Sequence, residues 1–97
     1  MQSLAFKYFY EVAQQGSLSA ASETLHVAVS AISRQINQLE QRLGTALFER
    51  SARGMKLTVA GNMLLKHVRR VNLETEATFQ AITGLNDAVK HPIRLAC

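Results

Sequence analysis

Ser30, Ser33, Arg34, Asn37 and Gln38 alternate with Ile32, Ile36, Leu39 and Leu43, four apolar residues spaced by steps of four, three and four. A helix of 3.6 residues per turn sends the two sets to different faces, one for a core and one for a partner. Hydroxyl, carboxamide and guanidinium groups gathered on one helical face are those that hydrogen-bond base edges and phosphates. Arg34 suits either a bidentate contact to guanine or a grip on a phosphate. Asn37 and Gln38, one turn further on, reach phosphate or solvent. Serine at a helix start also serves as a cap, so Ser30 and Ser33 carry that second reading. Val29, just before them, offers only an apolar surface, such as a thymine methyl would accept.

Such a helix needs elements to hold it. Upstream, Ser17 or Ser19 caps a short helix in which Ala20, Ala21 and Leu25 are spaced for close helix packing. His26, Val27, Ala28 and Val29 follow without a proline or glycine, so the break there must come from packing and from a cap at Val29 or Ser30. Gly44 ends the polar-faced helix by entering the left-handed conformation. The segment SLAFKYFYEVAQQG makes a first helix with Phe6, Phe9 and Ala13 on its core face, broadened by Tyr10 and Val12, and stops at Gly16. Phe6, Phe9 and Phe48 are expected to build the core beneath the reading helices.

After Gly44, Leu47, Phe48, Leu57 and Val59 flank a polar tip at Ser51, Ala52, Arg53 and Gly54, which predicts two short strands with Gly54 at positive φ. A two-stranded hairpin is unstable alone and must pack on the helices. Arg50 and Arg53 would sit on a basic, flexible tip, placed to enter a minor groove or hold its phosphates.

Thr58 is a good N-cap for a last helix running to about Ala88 or Val89, some 45 Å at ~1.5 Å per residue. Along it Leu64, Val68, Val71, Thr75, Thr78, Ile82, Leu85 and Val89 alternate steps of four and three, the seam of a coiled coil. The competing reading packs that face back on the first helix of the same subunit. Gly84 and the threonines weaken the far half. Pro92 is expected to close the helix, and residues 93–97 read as the start of a strand. The fold class is therefore mainly α: a winged helix-turn-helix over residues 1–58, a long dimerising linker helix over 59–90, and the start of a further domain over 91–97.

Charge supports an anionic partner. The formal net charge of the 97 residues is +4, but residues 1–46 are neutral, 47–70 carry +5 and 71–97 carry −1. The positive charge is concentrated directly after the helix-turn-helix, where a second groove contact would have to be. Lys56 and Lys66 read as solvated charges within that segment. Other classes fit less well. His26, His67 and His91 are scattered, the one cysteine is Cys97, and no paired carboxylates, metal-ligand spacing or phosphate-cradling glycine loop occurs, so neither enzyme, metal nor cofactor is expected. His26, at a helix end, reads as a packed or capping residue. No apolar run is long enough to suggest a membrane span, and the chain reads as soluble and cytoplasmic. A winged-helix protein-interaction module is the alternative.

The chain resembles the N-terminal region of LysR-type transcriptional regulators. The resemblance rests on Phe9, Val12, Ala13, Gly16 and Ser17, then Ala20, Ala21, Leu25 and His26, then Ser33, Arg34, Ile36, Leu39, Glu40, Leu43 and Gly44. It continues through Leu47, Phe48, Arg50 and Leu57 to Thr58, Ala60 and Gly61. It implies binding to imperfectly palindromic, double-stranded promoter DNA as a homodimer or homotetramer joined through the linker helix. It also implies a C-terminal domain that senses a small-molecule effector, of which residues 93–97 would be the first strand, making this chain a fragment. Two departures stand out. Ala28, Val29 and Ser30 replace the family's common serine, glutamine and proline or serine, removing a glutamine that often supplies a base contact. Val59 replaces the frequent proline after the capping threonine, which costs only pre-organisation.

Overall fold

The computed structural model describes residues 3–96, with side chains described through Asn86. Helix α1 spans Leu4–Gln15, α2 Leu18–Leu25 and α3 Val29–Leu43; strands β1 Phe48–Ser51 and β2 Gly54–Leu57 form an antiparallel pair, and α4 spans Val59–Ala96. This is the expected winged helix-turn-helix followed by a long helix.

Local chemistry sets most of the boundaries. Ser3 Oγ accepts from the Phe6 N–H at 3.2 Å to open α1, and Gly16 closes it at φ 70°. Of the two serines expected to cap α2, Ser17 does so, accepting from the Ala20 N–H at 3.2 Å. Gly44, at φ 71°, ends α3 and donates to the Glu40 carbonyl at 2.8 Å.

The break between α2 and α3 differs from the expectation. Ala28 occupies the N-cap position and no side chain caps α3, so neither Val29 nor Ser30 is the cap. Instead His26 adopts the left-handed conformation at φ 58°, the only described non-glycine residue with positive φ. Ser22 Oγ donates to the Val27 carbonyl and the Val27 N–H donates to the Ser22 carbonyl, which pins the turn. His26 is exposed, so its part in the fold is its backbone conformation.

The core gathers Phe9, Val12, Ile32, Ile36, Leu47 and Val68, all at most 1% exposed, with Tyr8, Ala21, Leu39, Phe48 and Leu65 around them. Phe9 and Phe48 meet with ring centroids 5.3 Å apart, tying α1 to the wing. Phe6 is only partly buried, its ring edge-on to His67 of α4 at 6.4 Å. Leu43, placed in the apolar stripe of α3 by spacing, is 50% exposed, because the core ends one turn earlier at Leu39.

Two corrections concern α4. The row that faces the core is Gly61, Leu65 and Val68, which shares only Val68 with the seam inferred from spacing. Val68 is fully buried in its own subunit and has no surface left for a second one. Leu64 and Val71 lie half-buried on the flank of that row. Val68 therefore follows the competing, intramolecular reading, while Leu64 and Val71 keep part of their surface. Second, α4 continues through Pro92 to Ala96, so the expected stop is not found and residues 93–96 are helical where a strand was expected. A lone strand has no ladder partner, whereas a helix satisfies most of its backbone groups internally. Val89 and Cys97 lie outside the described side chains.

The molecule measures 63 × 25 × 21 Å, its length being set by α4. The far half of α4 extends past the winged domain and leaves Phe79, Ile82 and Leu85 53%, 54% and 66% exposed.

Candidate nucleic-acid interface

The candidate surface begins with the division of α3. Ile32, Ile36 and Leu39 are buried, which turns Ser30, Arg34, Asn37 and Gln38 outward, all exposed. Steps of four, three and four join Ser30, Arg34 and Asn37 to Gln41, also exposed, so the polar stripe is longer than the five residues read from sequence. Gln41 lies in the last turn of α3, where a polar residue has no distinguishing signal in the sequence. Ser33 and Val29 sit on the flank: Ser33 is half-buried and Val29 is 38% exposed at the first helical position. Neither serine caps α3, so the hydroxyls of Ser30 and Ser33 are not committed to the helix start.

Arg34, Arg50 and Arg53 pair with no carboxylate among the described residues. Glu40, the carboxylate nearest to Arg34 along α3, is six residues away and is engaged elsewhere. Its Oε2 accepts from the N–H of Leu47 at 2.7 Å and from that of Phe48 at 3.4 Å. Unpaired surface guanidinium groups keep their full attraction for phosphate, since no neighbouring anion neutralises them.

The wing is held at its base from three sides. Glu40 anchors β1 to α3. The Met55 N–H donates to the Gly16 carbonyl at 3.0 Å, anchoring β2 to the turn between α1 and α2. Thr58 Oγ1 donates to the Ala46 carbonyl at 2.7 Å while accepting from the Gly61 N–H at 3.0 Å, and the Thr58 N–H donates to the Leu47 carbonyl at 3.0 Å. Thr58 is thus both the expected cap of α4 and a clamp on the wing. Two glycines make these contacts possible. A Cβ on Gly54, which sits at φ 123°, would collide with the Gly16 carbonyl oxygen, and one on Gly61 would collide with that of Leu47.

Strand register places Phe48 opposite Leu57 and Ser51 opposite Gly54, so Ala52 and Arg53 form the tip. The Arg53 N–H donates to Ser51 Oγ at 3.3 Å, and that hydroxyl donates to the Gly54 carbonyl at 3.4 Å. The tip is internally bonded and its base is held by these contacts. Arg50 and Ser51 share a shallow cleft with Ser17 and Ser19 at the start of α2. Lys56, Lys66 and Arg69 are exposed, while Arg70 reaches Glu74 at 4.0 Å and His67 Nδ1 at 3.2 Å.

Of the seam residues, Leu64, Val71 and Thr75 are half-buried, and Ile82 and Leu85 are exposed. Leu65, which the seam skipped, is the core residue instead; a four-and-three pattern fits rows on either side of a helix, and only the partner decides between them. Among the described residues there is no cluster of three metal-ligating side chains and no helix long and apolar enough to cross a membrane.

Comparison with known proteins agrees with this geometry. HTH-type transcriptional regulator ClcR of Pseudomonas putida is 45% identical over 76 residues, which cover 78% of this chain and 26% of that protein. This chain thus spans about a quarter of the length of that relative and of several others it matches. The solved complex of the CbnR DNA-binding domain with DNA superimposes with a TM-score of 0.74 at 39% identity, over 87% of this chain and 98% of that one. The BenM DNA-binding domain on catB site 1 DNA gives 0.78 at 27% identity, over 88% and 96%. Residues 4–62, from the first turn of α1 to the first turn of α4, match the bacterial regulatory helix-turn-helix proteins of the lysR family, and this chain belongs to that family.

Proposed function

We propose that this chain is the promoter-reading part of a bacterial transcriptional regulator, acting in the cytoplasm as a pair of subunits on one double-stranded site. The observation that carries the reading is the exposed stripe of Ser30, Arg34 and Asn37, opposite a buried apolar stripe, on a fold shared with domains solved on DNA. In this reading α3 lies in the major groove with its N-terminal half toward the bases, because an α-helix fits that groove. Val29, Ser30, Ser33 and Arg34 meet base edges or adjacent phosphates, and Asn37 follows along the backbone. Arg50 and Arg53 of the wing hold flanking phosphates or enter the next minor groove.

Pairing runs through the far half of α4, where Ile82 and Leu85 expose apolar surface beyond the reach of the winged domain. Leu64, Val71 and Thr75 on the flank complete that face; Val68 does not take part. A two-fold dimer reads half-sites spaced by one or more turns of DNA, about 34–36 Å each. Association of two such dimers makes a tetramer. A small-molecule effector acts through the separate sensing domain that longer members of the family carry.

The test is titration with a two-half-site duplex at several salt concentrations. Binding should weaken steeply as salt rises, since each phosphate neutralised releases counterions. Flat affinity across that range would favour a protein-interaction module instead. Two variants sort the contacts. Arg53→Ala should weaken all sequences alike and lower the salt slope by about one unit. Changes at Arg34 or Ser33 should alter which half-site is preferred, each base contact being worth about 1–3 kcal/mol of discrimination. A uniform loss of affinity from Arg34→Ala, with base preference intact, would move Arg34 to the phosphate-binding set.

A further inference from the structure

Glu40 joins the two parts of the surface that the proposed function uses separately. It leaves the polar stripe of α3, is half-buried, and spends one carboxylate oxygen on the N–H groups of Leu47 and Phe48, at 2.7 and 3.4 Å. Leu47 is fully buried and lies just outside the strand ladder, whose first pair is Phe48 with Leu57. The carboxylate therefore bonds the chain where it enters the wing. A charged acceptor makes the stronger kind of hydrogen bond, and a buried N–H left without one is costly. The oxygen also belongs to the reading helix itself, so the angle of the wing is referred to α3.

We infer that Glu40 is a positioning residue: it sets the wing relative to the reading helix so that Arg50 and Arg53 reach phosphates while α3 occupies the groove. The inference rests on the DNA-reading function proposed above. It touches no DNA itself. What it needs is an acceptor of the right reach, not a negative charge facing a phosphate, which would repel.

The expected results follow from that distinction. Glu40→Gln keeps an acceptor oxygen at the same reach and should retain the wild-type salt slope within about half a unit. Glu40→Ala removes the acceptor, and Glu40→Asp withdraws it by one methylene. Both should speed hydrogen exchange at the Leu47 and Phe48 amides. Both should also lose up to about two units of salt slope and roughly tenfold to thirtyfold in affinity near physiological salt, the share of two phosphate contacts. Base preference should not change. In a chain already carrying Arg50→Ala and Arg53→Ala, Glu40→Asp should cost little more, because interacting sites are not additive.

These titrations are made at a temperature where circular dichroism shows each variant folded. Glu40→Asp serves if Glu40→Ala fails to fold. A wild-type chain whose binding ignores salt would defeat the DNA reading itself. Salt-dependent wild-type binding, with an unchanged slope in folded Glu40→Asp, would overturn only the positioning role. So would a full loss of slope in Glu40→Gln, or an undiminished loss from Glu40→Asp in the chain lacking both arginines.

Discussion

Alanine in place of Gly61 is expected to lower the melting temperature by roughly 12–24 °C, taking a loss of about 3 kcal/mol and 4–8 °C per kcal/mol for a domain of this size. The added methyl would land against the Leu47 carbonyl oxygen and 2.8 Å from a Leu57 methyl. The first neighbour is backbone and cannot rotate away. It is already fixed by the Thr58 N–H, and Thr58 also holds the Ala46 carbonyl, so relief would dislodge the wing from α4. The control is the same substitution at Gly84, where nothing lies within 4 Å of the new atom. There alanine should stabilise the helix by up to about 1 kcal/mol, since glycine is the weaker helix former. Thermal unfolding followed by circular dichroism reads both. Equal melting temperatures for wild type and Gly61→Ala would mean that α4 and the wing are not packed as described.

Glutamate in place of Ile82 is expected to separate the proposed dimer and to weaken binding to a two-half-site duplex by about 10²–10⁴, leaving binding to one half-site nearly unchanged. Ile82 is 54% exposed in the single chain, so a charge there disturbs no contact of the winged domain. Placed in an apolar seam between two helices, the same charge meets its copy without a counter-ion. Sedimentation should show a fall from dimer to monomer mass, with the melting of the winged domain unaltered. An unchanged mass would remove Ile82 from the interface and return the search to the exposed Val59, Met63 and Leu73 on the other side of α4.

Local signals explain how much of this could be read in advance. The glycine ends of α1 and α3, the Ser17 and Thr58 caps and the wing with its glycine at positive φ all depend on residues a few places apart. Spacing was enough for them. In the turn between α2 and α3, His26 was legible as a capping residue at a helix end, but the Ser22 hydroxyl acting on a carbonyl five residues away was not. Within the seam of α4 one position, Val68, went to the core for a different reason. Val68 fits the heptad and the core alike, and only the packing of α1 and β2 on α4 decides. Of the proposed reading surface, the exposed positions of Ser30, Arg34, Asn37, Arg50 and Arg53 followed from the sequence. Glu40 could not be given its task, since its partners are backbone groups that carry no side-chain signature.

Because α4 is one uninterrupted helix, the direction of its far apolar surface relative to the wing is an angle counted in residues. Each residue inserted between Thr75 and Phe79 would advance the far end by about 1.5 Å and turn it by about 100°. A single insertion would thus swing Ile82 and Leu85 away from the flank that Leu64 and Val71 occupy. Seven would push them about 10 Å outward yet leave them within about 20° of their present bearing. Length along this rod can change by about seven or eleven residues with little rotation, whereas a change of one, two or five rotates one half of the molecule far against the other.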